Sequence, residues 1–354
     1  MIHKEKEERK KILIFNKSKM NNSRKIHGIT KEKIPRNKVR KSIQNKKLIY
    51  FSNVFSGKSN LFPLDSLTIN LTNIESFNDF QTPSPDIRET GWCFAACSKQ
   101  GSFRASQEDH FQVITPIKLD SSGIIVGVYD GFMNENCSKL LSEVAIQQLN
   151  SNISKSENLE QEILNQINKI YENIFQLMKI NNQLGGSTSL ISIIIPKKIY
   201  IVNIGDSFAC LISTKRARML NNIHNTKNPN EEKMILENGG EIIEFNGTKR
   251  VQGMITLTRA VGNFDLNTVL SHVPELKVQD IDQDDLYLLI GSDGLTASLT
   301  ENEIYDFFHQ HLNYSEIQLS EGIINLAMNK GSEDNITSIV VNLQTILKIR
   351  NLQY

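Results

Sequence analysis

Apolar residues in this chain gather either into short runs or into longer stretches spaced by three and four, and the two patterns come in blocks. Runs at 110–115, 123–129, 188–195, 198–205, 208–213, 241–245, 254–258, 286–291 and 336–343 have the length and bounding residues of strands. Two helical patterns interrupt them. One covers 137–150, with Leu140, Leu141, Val144, Ala145 and Leu149 on one face. The other covers 159–180, with Ile163, Ile167, Ile170, Ile174 and Leu177 in register. Two more helices are predicted at 301–312 and 318–329, the first opened by Thr300 and Glu303 at capping-box spacing. Strands, paired helices, further strands and closing helices imply an α+β chain, with sheets packed together and helices outside. No βα alternation of the kind that builds a parallel sheet is present, and no internal repeat.

Charge changes the picture at the N-terminus. Residues 1–50 hold 17 Lys or Arg against 4 Glu; the whole chain is +1, so the remainder is acidic by 12. Residues 1–85 read as a basic, disordered extension, closed by the break Gln81-Thr82-Pro83-Ser84-Pro85. The sharper reading is a nuclear-targeting or anionic-surface tether. Aromatics between the basic residues are few, which argues against dedicated nucleic-acid binding. Folded structure is expected from near Gly91-Trp92-Cys93 onwards. No apolar run approaches the roughly 18 residues of a membrane span, and the charged start has no apolar core of a secretory signal. Cys93, Cys97, Cys137 and Cys210 fit neither a zinc nor a disulfide spacing and read as reduced thiols. The expected compartment is therefore cytoplasmic or nuclear, and the expected state a monomer.

Candidate chemistry sits where apolar runs meet carboxylates. Asp130 ends Ile124-Ile125-Val126-Gly127-Val128-Tyr129, Asp293 follows Leu286-Tyr287-Leu288-Leu289-Ile290, and Asp334 precedes Ile336-Thr337-Ser338-Ile339. Glu108-Asp109 forms a fourth acidic segment. A carboxylate at the end of a buried strand is costly unless something neutralises it. Several of them, far apart in sequence, point to a shared cation, and oxygen ligands suit a hard divalent ion. Each alone reads as a turn, a cap or solvated charge.

Taken in order, these segments resemble the metal-dependent Ser/Thr protein phosphatases of the 2C type. The resemblance runs from about Gly91 to Leu343. It rests on Arg104 followed by Glu108-Asp109, on Val128-Tyr129-Asp130-Gly131, on Gly186-Ser187-Thr188 and on Asn203-Ile204-Gly205-Asp206-Ser207. Gly239-Gly240, Arg250-Val251-Gln252-Gly253, Thr258-Arg259-Ala260-Val261-Gly262, Ser292-Asp293-Gly294 and Asp334-Asn335 complete it. The resemblance implies a two-sheet antiparallel β-sandwich flanked by helices over 86–345, with 346–354 as a tail. It implies hydrolysis of phosphoserine and phosphothreonine in proteins by water activated between two Mg2+ or Mn2+ ions. Asp130 would bridge the ions, Glu108 and the Gly131 carbonyl would serve one, and Asp293 and Asp334 the other. Asp206 with Asp293 would hold a weaker third. Arg104 would bind phosphate, and Asp109 would orient metal-bound water.

The sequence departs from that family in places. Phe132 stands where a His, the family's proposed general acid, usually follows Asp-Gly, so slower cleavage of alkyl phosphates is expected. Asn263 replaces an Asp, Phe208 an Arg, and Thr296-Ala297 a Trp-Asp pair. Ile223-His224 replaces an Asp-His pair, and His224 reads as a surface or capping residue. The alternative to an active phosphatase is a weak or inactive phosphatase-like binding or regulatory protein.

Overall fold

The computed structural model describes residues 86–352, except Phe264 and Asn267; the basic extension expected at 1–85 lies outside them. Strands β1 (Ile87–Thr90), β2 (Phe94–Lys99), β3 (Asp109–Ile114) and β4 (Ile124–Phe132) lead into helices α1 (Asn136–Asn152) and α2 (Leu159–Ile180). Then come β5 (Gly186–Ser187), β6 (Ser189–Ile195), β7 (Lys198–Ile204), β8 (Phe208–Ser213) and β9 (Ala217–Met219). A flap follows: α3 (Pro229–Glu237), the hairpin β10 (Ile242–Phe245) and β11 (Thr248–Val251), and β12 (Val261–Gly262). The chain closes with β13 (Glu275–Asp280), β14 (Asp285–Gly291), α4 (Asp293–Thr296), α5 (Glu301–Gln310), α6 (Glu316–Asn329), β15 (Ile336–Asn342) and α7 (Leu343–Leu352).

Two antiparallel sheets carry the fold. One runs β1-β2-β15-β14-β8-β9, the other β12-β5-β4-β6-β7-β13, with β3 paired to β4. Alternation along each strand sorts its side chains between two faces. Ile124, Val126 and Val128 of β4, Leu190 and Ile194 of β6, Leu288 and Ile290 of β14, and Ile339 and Val341 of β15 meet in one buried cluster between the sheets. The other face of the first sheet, with Phe208, Cys210, Leu289 and Val340, packs on Leu295 of α4, Phe308 of α5 and Ile323 of α6. Helix α1 lies on β3 and β4, with α2 behind it. The expected two-sheet architecture with outer helices is what is found. No helix among the described residues is long and apolar enough to cross a membrane, and all four cysteines are buried and unpaired.

The expected capping box is present: Thr300 N–H donates to Glu303 Oε2 at 2.8 Å, and Glu303 N–H to Thr300 Oγ1 at 3.4 Å. Three expectations need correction. The run 254–258 is not a strand, because Gln252 and Gly253 take positive φ (53° and 69°) and fold it back onto Val251, which donates to the Ile255 carbonyl. On α2, Met178 rather than Leu177 is the buried residue of the last turn. The domain does not end at 345, since α7 spans that boundary and buries Ile346 in the inter-sheet core.

Candidate metal centre

Three carboxylates from three different elements converge at one end of the sandwich. Asp130 is one residue pair from the end of β4, on the same strand face as the core residues Val126 and Val128. Asp206 leaves the turn after β7, and Asp293 is the first residue of α4, just past β14. Ligand oxygens of Asp130, Asp206 and Asp293 lie within 4.8 Å of one another. The backbone under Asp130 is locked: its N–H donates to Thr188 Oγ1 (3.0 Å) and its carbonyl accepts from Thr188 N–H (2.9 Å). Thr188 Oγ1 also meets Ser207 Oγ at 2.7 Å, which ties the Asp130 strand to the Asp206 turn.

Asp109 pairs with Asp130 across β3 and β4 and is buried. Its Oδ2 accepts from Ser292 Oγ (2.7 Å) and Thr337 Oγ1 (2.8 Å), residues of the opposite sheet and its junction with α4. Its Oδ1 is buried with no partner. Burial, only partly offset by those two hydroxyls, pushes its carboxyl up to about 7, and the charges of Asp293 and Asp334 add to the rise. Burial and mutual repulsion likewise raise Asp130, Asp206 and Asp293 above the usual carboxylate range.

Glu108, Asp334 and Arg104 lie outside the converged trio. Glu108 Oε1 accepts from Ser106 Oγ at 3.2 Å, and burial raises its pKa. Arg104, half exposed, donates from Nη2 to Asp334 Oδ2. Burial works to lower the Arg104 pKa, but the Asp334 hydrogen bond and the charges of Asp334, Asp130 and Asp293 hold it above its ordinary value. Asn335 is a stitch: its Nδ2 donates to the Ser106 carbonyl (3.0 Å) and its Oδ1 accepts from Gly101 N–H (3.1 Å), fixing the Arg104 loop beside Asp334. Gly131 cannot carry a side chain, since a Cβ there would sit 2.6 Å from Ser138 Oγ and 2.7 Å from the Glu108 carbonyl oxygen.

The residues present fit a hard divalent cation. The donors are all oxygen, the repelling carboxylates lack a compensating charge of equal size, and Asp109, the cross-strand partner of Asp130, has a buried Oδ1 with no partner. Among the described residues no other cluster of this kind occurs.

The departures from the family pattern take clear places. Phe132 is half-buried and packs against the flap cluster of Ile235, Val251, Ala260, Leu266, Val269 and Leu270. Asn263 is buried at φ 50°, its N–H bonded to the Gly185 carbonyl and its Nδ2 unpartnered. Phe208 belongs to the core beneath α4 to α6. His224 is neither on the surface nor a cap: it is fully buried. Gly205 N–H donates to its Nδ1 (3.3 Å), so Nε2 carries the proton and faces Glu275 Oε2 at 3.2 Å. Sequence reasoning also missed the hydroxyls of Thr188, Ser207, Ser292 and Thr337. Ser207 and Ser292 adjoin motif carboxylates and Thr337 follows Asp334 by three residues, so their signal was present; Thr188 stands 58 residues from Asp130, and only the fold joins them.

A family model described as protein phosphatase 2C matches residues 94–336. Probable protein phosphatase 2C 7 of Oryza sativa subsp. japonica is 28% identical over 246 residues, which are 67% of this chain and 62% of that protein. The chain thus matches less than two thirds of that relative's length. Protein phosphatase 1L of Bos taurus is 28% identical over 270 residues, 72% of this chain and 73% of the bovine protein. A solved serine-threonine phosphatase 2C from Toxoplasma gondii superposes with a TM-score of 0.62 at 20% identity, over 74% of this chain and 99% of that one. Sheet order, the convergence of carboxylates and the extent of these matches agree, and the chain belongs to the protein phosphatase 2C family.

Proposed function

We propose that this chain is a metal-dependent protein phosphatase acting on phosphoserine and phosphothreonine. The observation that carries the reading is the convergence of Asp130, Asp206 and Asp293, with Asp109 paired to Asp130 across β3 and β4 and the Arg104 guanidinium close enough to feel the charges of Asp130 and Asp293. Asp130 would be shared by two Mg2+ or Mn2+ ions, Glu108 and the Gly131 carbonyl serving one, and Asp293 and Asp334 the other. Asp206 with Asp293 would hold a weaker third. Ions bound there would neutralise phosphate charge and supply a hydrolytic water of lowered pKa at neutral pH.

The chain's own residues do the rest. Arg104 presents a planar fork that matches two phosphate oxygens and favours the dianion. Asp109 Oδ1, buried without a partner, would accept a hydrogen bond from a water and so fix its lone pairs, while Oδ2 holds the carboxylate through Ser292 and Thr337. Rigid placement is the main contribution a protein makes to phosphoryl transfer.

Turnover of phosphoserine and phosphothreonine peptides, measured with and without Mn2+, tests the reading. Mn2+-dependent hydrolysis that Asp293→Asn lowers by at least about 100-fold is the expected result. Mn2+ binding with no turnover would instead make the chain a silent phosphatase-like binding protein.

A further inference from the structure

His224 is unused by this chemistry, yet it is fully buried within a dense set of polar contacts at the root of the flap. Both backbone polar groups of Gly205 are bound by this one residue. His224 N–H donates to the Gly205 carbonyl (3.0 Å), and Gly205 N–H donates to His224 Nδ1 (3.3 Å). The Gly205 carbonyl takes a second hydrogen bond from Asn203 Nδ2 (3.1 Å), which also reaches the Asn222 carbonyl at 2.9 Å. Only glycine fits at 205, because its φ is 106° and a Cβ would lie 2.6 Å from Thr188 Cγ2, so the turn packs directly on Thr188. The next residue is Asp206.

The imidazole is held from its far side as well. Glu275, the first residue of β13, faces Nε2 with one oxygen (3.2 Å) and accepts from Asn222 Nδ2 with the other (2.9 Å). The His224 carbonyl accepts from Thr258 N–H (3.1 Å), and Thr258 Oγ1 reaches Glu231 of the flap helix at 2.8 Å. His224 is thus the junction of three pieces: the turn that aims Asp206, the opening of β13 and the flap.

We infer that His224 is a positioning residue for Asp206, fixing through Gly205 the turn that aims this carboxylate at Asp130 and Asp293. The inference rests on the cation-binding role proposed for Asp206. Outer groups that orient ligands typically change metal affinity by about 10–100-fold when removed. An Asp206 freed to turn away would weaken the cation site it shares with Asp293 and leave the sites built on Glu108 and Asp334 intact.

The test is calorimetric titration of the full chain with Mn2+, with thermal unfolding of each metal-free variant measured alongside. In His224→Ala the weakest Mn2+ event is expected to lose about tenfold or more in affinity, and the tighter events to stay unchanged. His224→Asn, whose Oδ1 can stand near the place of Nδ1, is expected to recover most of the loss. In an Asp206→Asn background, His224→Ala should bring no further loss. Because His224 is buried, His224→Gln serves where His224→Ala does not fold, with the same selective loss expected. A variant with a lower Tm but unchanged Mn2+ affinity overturns the inference, as does an equal further loss in the Asp206→Asn background. A wild-type chain that binds no Mn2+ overturns the phosphatase reading and this inference with it.

Discussion

At the scale of single residues, Phe132 is the departure with the most direct consequence for the proposed chemistry. Strand alternation puts it on the face of β4 that carries Asp130, two positions away. Its ring occupies the space over Gly186, where a Cβ would meet it at 2.5 Å, and leans on the flap cluster. A phenyl ring has no proton to give, and an alkoxide leaving group needs one far more than a phenoxide does. Phe132→His should therefore raise turnover of a phosphoserine peptide at least about tenfold while changing p-nitrophenyl phosphate turnover little, since general acid catalysis is typically worth 10²–10⁴. Equal gains on both substrates, read as kcat, would remove the argument. The position of Asp130, Asp293 and Asp334 at strand ends was legible in the sequence, because each adjoins the apolar strand that places it. His224 was not, because Gly205 and Glu275, the partners that define it, stand 19 and 51 residues away.

At the scale of elements, the flap is held by a small apolar cluster and one embedded ion pair. Glu231 of α3 accepts from Arg259 Nε (2.9 Å), Arg259 Nη2 (2.5 Å) and Thr258 Oγ1 (2.8 Å), and is almost fully buried. Burial alone would raise its pKa, but the hydrogen bonds from Arg259 and Thr258 outweigh it and hold the carboxyl below the ordinary 4.5. A carboxyl whose folded pKa is depressed stabilises the fold fully above its unfolded pKa, and that contribution is lost as pH falls through the folded value. Amide exchange in α3 and β10–β11 is therefore expected to lose protection on acidification below about 4.5, before the sandwich strands do. Glu231→Gln should lower the flap's opening free energy by about 3 kcal/mol at neutral pH, because it leaves the Arg259 charge unpaired, and should abolish the acid step. Retention of that step in Glu231→Gln would assign it to another group. Strands and helices with strong periodicity were readable beforehand. The flap was not, because its shape depends on positive-φ turns at Gln252-Gly253 and on contacts between segments, neither of which leaves a period in the sequence. Strand β13 was missed for a related reason: its pattern of Glu275 to Asp280 is mostly polar, as suits a sheet edge.

At the scale of the whole domain, both sheets are needed to assemble one acidic end. Asp130 comes from one sheet, Asp293 and Asp334 flank strands of the other, and Asp109 joins the two through Ser292 and Thr337. Like charges gathered there oppose folding, which is why burial and mutual repulsion raise the carboxyl pKa values of Asp109, Asp130, Asp206 and Asp293 together. A divalent cation bound there, as proposed, would convert that repulsion into attraction and would bind only the assembled end. Linkage then makes cation binding a stability measurement: at a free Mn2+ concentration 100 times the dissociation constant the folded state gains about 2.7 kcal/mol, or about 5–10 °C in Tm for a domain of this size. Removing one charge separates the two effects. In Asp293→Asn without metal, the repulsion falls and Tm should rise above that of the metal-free wild type. With Mn2+ the same variant should show little or none of the wild-type increase. Differential scanning calorimetry of both chains, with EDTA and with Mn2+, gives four transition temperatures. The reading requires that their order at the Asp293→Asn chain reverse, from the more stable without metal to the less stable with it. A wild-type Tm indifferent to Mn2+, or an Asp293→Asn chain that gains as much from Mn2+ as the wild type, would mean that the acidic end does not gather a cation in common.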